Sequence, residues 1–251
     1  MRSIFRIKTL IHRVYVKVGL YLGYESVSRD FFIPVEIYEK VPILNRCLPF
    51  TGIGKGGLID NLLAAHYVEL NDIKGDIVEA GVHMGGSIAT LSLALTSGAN
   101  RKFWCYDTFS GMPEPGQFDS AHARNIFSQH ARDDGSSNWC ETSLEVVKEN
   151  LVSLRTPFEK FEFVIGKVEE TLKIKSNLPT QIAILRLDTD WYESTKIELE
   201  VLFPLVSTGG VVIIDDYGKW SGSKKAVDEY FIDKFRPFMF ASAHRRIFIK
   251  R

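Results

Sequence analysis

Four carboxylates stand in two short clusters, Asp188 and Asp190 in Leu-Asp-Thr-Asp and Asp215 and Asp216 in Ile-Ile-Asp-Asp. An all-carboxylate set suits a hard divalent cation such as Mg²⁺, whereas zinc sites favour His and Cys. Each cluster ends an apolar run, Ile182–Leu187 and residues 211–214. Runs of this kind are expected as strands of a parallel sheet buried on both faces. Ligand sites in open α/β sheets form beyond the carboxyl ends of the strands, so the four acids are expected at one edge. Strand-terminal aspartates that only cap the following helices are the alternative. Two clusters at neighbouring strand ends favour the cation.

A second constellation lies upstream. Gly75-Asp-Ile-Val-Glu79-Ala-Gly81-Val-His83-Met-Gly85-Gly86-Ser87 reads as a strand entering a glycine-rich turn, and residues 88–95 continue as an apolar helix. Glycines let backbone N–H groups approach a ligand at a helix N-terminus. Asp107 closes the next strand, Phe103–Asp107, 21 positions after Gly86, where a carboxylate can grip the two hydroxyls of a ribose. Glu79 at the turn would repel a pyrophosphate. It suits a nucleoside carrying positive charge, such as S-adenosylmethionine, better than NAD. Gly52, Gly54 and Gly57 also satisfy G-x-G-x-x-G, but no strand precedes them, so they are expected as a flexible loop beside the ligand.

The elements that must position these residues follow from the pattern. A third strand is expected at Phe161–Ile165, with Gly166 and Val168 as neighbours of an adenine, and a helix at residues 144–154. Residues 111–138 are polar and irregular and read as a lid or binding loop, in which His122 and His130 are more simply solvated than substrate-bound. Residues 221–231 read as a capped helix, and the C-terminus as two short strands pairing antiparallel. Residues 31–48 are aromatic and broken by Pro34 and Pro42, with Pro49 just beyond, and are expected to form a cap without a long helix. Residues 1–24 alternate apolar and basic residues and can form an amphipathic helix that packs on the domain or a second subunit, or contacts an anionic membrane surface.

Composition agrees with one large α/β core. The chain has 251 residues, 45% hydrophobic and 25% charged, without a linker-like stretch. Its formal net charge of zero gives no reason to expect nucleic acid as partner. Three cysteines without metal spacing or a secretory signal suggest reduced thiols in a cytoplasm.

Four motifs, Glu79-Ala-Gly-Val-His-Met-Gly-Gly-Ser, Tyr106-Asp-Thr-Phe-Ser-Gly-Met-Pro, Leu187-Asp-Thr-Asp-Trp-Tyr-Glu-Ser-Thr and Ile213-Ile-Asp-Asp-Tyr-Gly, resemble the macrocin/mycinamicin/novobiocin-type sugar O-methyltransferases. The resemblance covers residues 51–231, with the motifs in family order. It implies a Rossmann-like class I S-adenosylmethionine methyltransferase fold, a mostly parallel seven-stranded sheet with helices on both faces. Residues 1–50 would be an N-terminal helical extension and cap, and residues 51–251 the methyltransferase domain. By the same resemblance Asp188, Asp215 and Asp216 match the Mg²⁺ ligands and Asp190 the general base. Glu79, Gly81, Gly85, Ser87, Asp107, Thr108, Gly166, Val168 and Asp188 fall at cofactor-contacting positions. A homo-oligomer acting on a sugar hydroxyl is expected. Two positions depart from the family pattern: His83 replaces a glycine common in methyltransferases, and Lys219 stands where the family often has histidine. Methylation of a catechol or other phenol, and nucleoside binding without catalysis, remain as alternatives.

Overall fold

The computed structural model describes residues 24–28, 31–95 and 100–251. The amphipathic helix expected over residues 1–24, with its membrane or subunit contact, lies outside the described residues apart from Tyr24. A small antiparallel hairpin, β1 Tyr24–Ser28 and β2 Phe31–Pro34, leads into a 3-10 turn and the short helix α1 Val41–Cys47. Pro42 sits in the first turn of α1, where its missing N–H costs nothing. The cap is therefore built of short pieces. Ile33, Ile37, Val41, Leu44 and Cys47 enter the same apolar core as Leu58, Ile77 and Ile88, so cap and sheet share their packing.

The main sheet contains β3 Asp76–Ala80, β4 Phe103–Asp107, β5 Phe161–Ile165, β6 Ile182–Leu187, β7 Val206–Ile214, β8 Phe240–Ser242 and β9 Arg245–Ile249. Their order is β5-β4-β3-β6-β7-β9-β8. Every pairing from β5 across to β7 is parallel, and β9 runs antiparallel between β7 and β8. Alternate residues of the central strands feed two cores: Ile77, Phe103 and Ile184 on one face, Val78, Trp104 and Leu185 on the other. That double burial is why β6 is buried at every position. β7 begins five residues before the expected apolar run. Gly209, at φ +81°, reads as a turn residue in isolation, yet pairing with β6 through a register shift absorbs it into the strand.

The helices include α2 Gly54–Leu70, α3 Gly86–Ala94, α4 Ala121–His130, α5 Leu144–Ser153, α6 Val168–Thr171, α7 Tyr192–Val201 and α8 Ser221–Tyr230. Helix α4 corrects the reading of residues 111–138 as irregular. Ser120 caps its first turn by accepting from the Ala123 N–H, and Ala123 and Phe127, four apart, are buried. Two apolar residues in a polar segment are too few for composition to reveal. Helix α8 has no side-chain N-cap, contrary to the expected capping. Among the described residues no helix is long and apolar enough to cross a membrane.

Candidate functional site

Strands β6 and β7 pair in parallel, with Leu187 opposite Ile214, so the acids that follow each strand emerge together. Asp188, Asp215 and Asp216 each offer a carboxylate oxygen, and these atoms all lie within 4.8 Å of one another. Asp190 lines the same cavity at φ +69°. The crowding shows in the proton affinities. Burial, then Asp215, drives Asp188 well above the usual carboxylate range, although Arg186 opposes them. Burial, then Asp190 and Asp188, does the same to Asp216. Burial also raises Asp190, against a hydrogen bond with Asp216 and the positive charge of Lys219, which lower it. Asp215 alone goes down: burial pushes it up, but Arg186 and Arg245 outweigh it.

Beneath the cluster lies Arg186, whose side chain is fully buried. Its Nε sits 3.0 Å from Glu79 Oε1, and its Nη2 donates to Asp188 Oδ2 at 2.9 Å and to Asp215 Oδ1. Burial would strip its charge, but Asp215, Asp188 and Glu79 together raise its proton affinity. Arg186 faces Glu79 across the β3–β6 ladder. The structure thus corrects the place of Glu79. It does not line the cavity but sits fully buried under it, and burial, offset by Arg186 and Ser87, pushes its pKa up to about 7. The positive partner it was expected to meet in a ligand is already present in the protein.

From the acids, a cavity of about 320 Å³ extends to the glycine turn. Of the expected contact residues, Gly81, Ser87, Asp107 and Thr108 line it on one side. Gly166, Val168 and Asp188 line it elsewhere. Gly85 does not; it is the left-handed N-cap of α3, packed towards Val147. Gly81 has φ +84°, and a Cβ there would meet the Asp188 carbonyl oxygen at 1.9 Å, so the turn and the acid-bearing strand touch through this glycine. His83 takes the left-handed backbone at φ +49° without being glycine, and burial lowers its pKa towards the neutral imidazole. Asp107 fastens the turn: Oδ2 accepts from Val82 N–H at 2.7 Å and His83 N–H at 3.0 Å, and Oδ1 accepts from Phe109 N–H at 2.8 Å. Of the three glycines expected in a flexible loop beside the ligand, only Gly52 lines the cavity, with Thr51 and Ile53; Gly54 and Gly57 belong to the first turns of α2, which corrects the loop reading there.

The segment bearing α4 is anchored by three tryptophans. Trp139, Trp191 and Trp220 meet edge to face with centroids 5.2 to 5.9 Å apart, and Trp191 Nε1 donates to the Pro113 carbonyl at 2.9 Å. His122 stacks on Trp220 and His130 on Trp139, and neither lines the cavity. Lys219 does line it, with Nζ 5.4 Å above the Trp220 ring.

Sequence reasoning missed Arg186, His244 and Arg245. A lone arginine in the apolar run of β6 was a legible signal. His244 carried none: the β8–β9 turn brings its Nε2 to 3.2 Å from Asp215 Oδ2, a contact made only by tertiary folding. Arg245 joins Asp60 of α2 at 2.7 Å and approaches Asp215 at 3.7 Å.

Residues 45–235 match the family described as Macrocin-O-methyltransferase (TylF). The chain is 34% identical over 216 residues to the 8-demethyl-8-(2,3-dimethoxy-alpha-L-rhamnosyl)-tetracenomycin-C 4'-O-methyltransferase of Streptomyces olivaceus, covering 81% of this chain and 79% of the relative. It is 36% identical over 162 residues to the demethyldecarbamoylnovobiocin O-methyltransferase of Streptomyces niveus, covering 64% of this chain but only 59% of the length of that relative. Among solved structures it resembles the O-methyltransferase NovP, with a TM-score of 0.69 at 30% identity, covering 80% of this chain and 82% of that one. The calicheamicin methyltransferase CalS11, at 20% identity and a TM-score of 0.56 over 84% of this chain and 91% of its own, shares the fold.

Proposed function

Because the chain belongs to the macrocin O-methyltransferase family, we propose that it transfers the methyl group of S-adenosylmethionine to a hydroxyl of a sugar-containing small molecule, with Mg²⁺ in its acidic site. The observation that carries this reading is the single cavity lined by the Gly81 turn, Asp107, Asp188, Asp190 and Asp215, with a carboxylate oxygen of Asp216, just outside the lining, within 4.8 Å of those of Asp188 and Asp215. The relative from Streptomyces olivaceus is named for 4'-O-methylation of a rhamnosyl-tetracenomycin, which supports a sugar acceptor.

The residues fit both groups. The turn lines the cavity through Gly81, Val82, His83 and Ser87, with Asp107 beside it, as a nucleoside cradle requires. Three carboxylates form an all-oxygen donor set, and Asp216 Oδ2 is buried without a hydrogen-bond partner. Asp188, Asp215 and Asp216 would hold the cation, which when bound supplies Lewis acidity to the acceptor oxygens. S-adenosylmethionine supplies an electrophilic methyl on a sulfonium.

The chain does the rest. Asp107 and the backbone of the Gly81 turn bind and orient the nucleoside, with Gly166 and Val168 beside its base. Arg186 fixes the carboxylates of Asp188 and Asp215 from below. Asp190 takes the proton of the acceptor hydroxyl. A sugar hydroxyl has a pKa far above neutral, so its proton needs a base positioned beside it.

The test incubates the protein with S-adenosylmethionine and a panel of nucleotide sugars, glycosides and catechols, with Mg²⁺ or with chelator, and reads products by mass. Methylated sugar that disappears on chelation is expected. Methylation of catechols alone would overturn the sugar assignment, and chelator-insensitive turnover would remove Mg²⁺.

A further inference from the structure

Asp190 is not held where it is by its own preference. A side-chain-bearing residue at φ +69° is uncommon, and the Trp191 N–H donates to the Thr189 carbonyl at 2.8 Å, closing a three-residue γ-turn with Asp190 at its apex. A γ-turn with positive φ is rare and strained, and it persists only where its surroundings impose it.

The flanks are secured. Asp188 N–H continues the ladder onto the Ala80 carbonyl at 2.9 Å, and after the turn Tyr192 N–H donates to Asp119 Oδ1 at 3.0 Å. Between them stands Thr189, whose Oγ1 donates at 2.9 Å to Glu198 Oε1. Glu198 belongs to α7, is fully buried, lies outside the cavity lining and has no hydrogen-bond partner for Oε2. Burial pushes its pKa well above the usual carboxylate range, ahead of the lowering contact with Thr189. A buried acid with so few partners is costly to keep. The side-chain hydrogen bond it makes is to the residue preceding Asp190.

We propose that Glu198 is a positioning residue that, through the Thr189 hydroxyl, holds Asp190 in its left-handed turn with the carboxylate facing the cavity. The proposal rests on Asp190 being the base of the reaction proposed above.

The experiment compares Thr189→Val, Thr189→Ser, Glu198→Ala and Glu198→Gln with the unaltered protein. Three readouts are taken: the φ of Asp190 in crystals grown with S-adenosylhomocysteine, S-adenosylhomocysteine affinity by calorimetry, and kcat and KM for methylation of p-nitrophenyl α-L-rhamnoside. Thr189→Val and Glu198→Ala are expected to release Asp190 from positive φ and to lower kcat at least tenfold, with S-adenosylhomocysteine affinity changed less than twofold. Thr189→Ser and Glu198→Gln, which keep the hydroxyl and an acceptor oxygen, should stay within twofold of the parent. A Thr189→Val protein with Asp190 still at positive φ overturns the proposal, whatever rhamnoside turnover is found. Affinity and kcat falling together in Thr189→Val would also overturn it, as a general structural loss. Asp190→Asn is run alongside. If it is impaired while Thr189→Val is normal, the positioning role alone fails; if Asp190→Asn turns over normally, the base assignment fails first.

Discussion

Asp190 and the three acids around it share a side chain but are proposed to differ in task, and substitution should separate them. On the proposed function Asp188, Asp215 and Asp216 hold the cation, so replacing any one with Ala should lower Mg²⁺ affinity and acceptor affinity together in calorimetry. Asp190→Asn should leave both nearly intact and lower turnover by roughly 10² to 10⁴, the usual worth of a positioned base. Loss of Mg²⁺ affinity in Asp190→Asn would make Asp190 a ligand instead. The left-handed backbone at Asp190 gives a second expectation. Asp190→Gly relieves the strain and takes one carboxylate out of a crowded set, so the variant should unfold at higher denaturant, by about 1 kcal/mol, while losing activity. A variant less stable than the parent would mean that Asp190 contributes contacts worth more than its strain.

At the scale of elements, the β3–β6 register sets Glu79 opposite Arg186, and the Arg186 side chain reaches Asp188 and Asp215 beyond the strand ends, a column of charged groups. Glu79 is the part of that column whose protonation should be visible. With a folded pKa of about 7 against an ordinary 4.5, it is protonated in both folded and unfolded chains below pH 4.5 and contributes no pH dependence there. Between 4.5 and 7 the unfolded chain releases the proton first, so stability falls as pH rises, and the penalty is complete above 7. Glu79→Gln lacks this titration. The stability of the parent minus that of Glu79→Gln should therefore decrease by on the order of 3 kcal/mol from pH 4.5 to 7, as followed by urea unfolding. A flat difference would mean that Arg186 keeps Glu79 ionised throughout.

Across the whole molecule, the proposed nucleoside end and the acid end of the cavity are built from different strands, β3 and β4 against β6 and β7. The two ends should respond separately. Binding of S-adenosylmethionine, measured by calorimetry, should be nearly the same with Mg²⁺ and with chelator, whereas acceptor binding should require the cation. Asp107→Ala should weaken the nucleoside by about 1.5 to 3 kcal/mol, since a charged acceptor is lost. The turn held by Val82 and His83 N–H loosens in the same variant. Parent-like affinity in Asp107→Ala would put the nucleoside elsewhere.

Periodicity and residue chemistry determined the parallel strands, because double burial writes a strand as an unbroken apolar run, and they determined the acid clusters and the glycine turn, because ligand edges interrupt those runs with special residues. Helix α4 was not legible, since two buried side chains and a serine cap leave a segment that still reads as polar loop. Nor was the true extent of β7, where cross-strand pairing overrides the turn preference of Gly209 and Gly210. Tertiary structure alone decided which groups gather around Asp215. Arg186 beneath them, and His244 and Arg245 carried in by the β8–β9 hairpin, meet Asp215 from sequence separations of 29 or more. A local pattern records which face of an element is buried, but the partner of a buried charge depends on which distant strands the fold brings together.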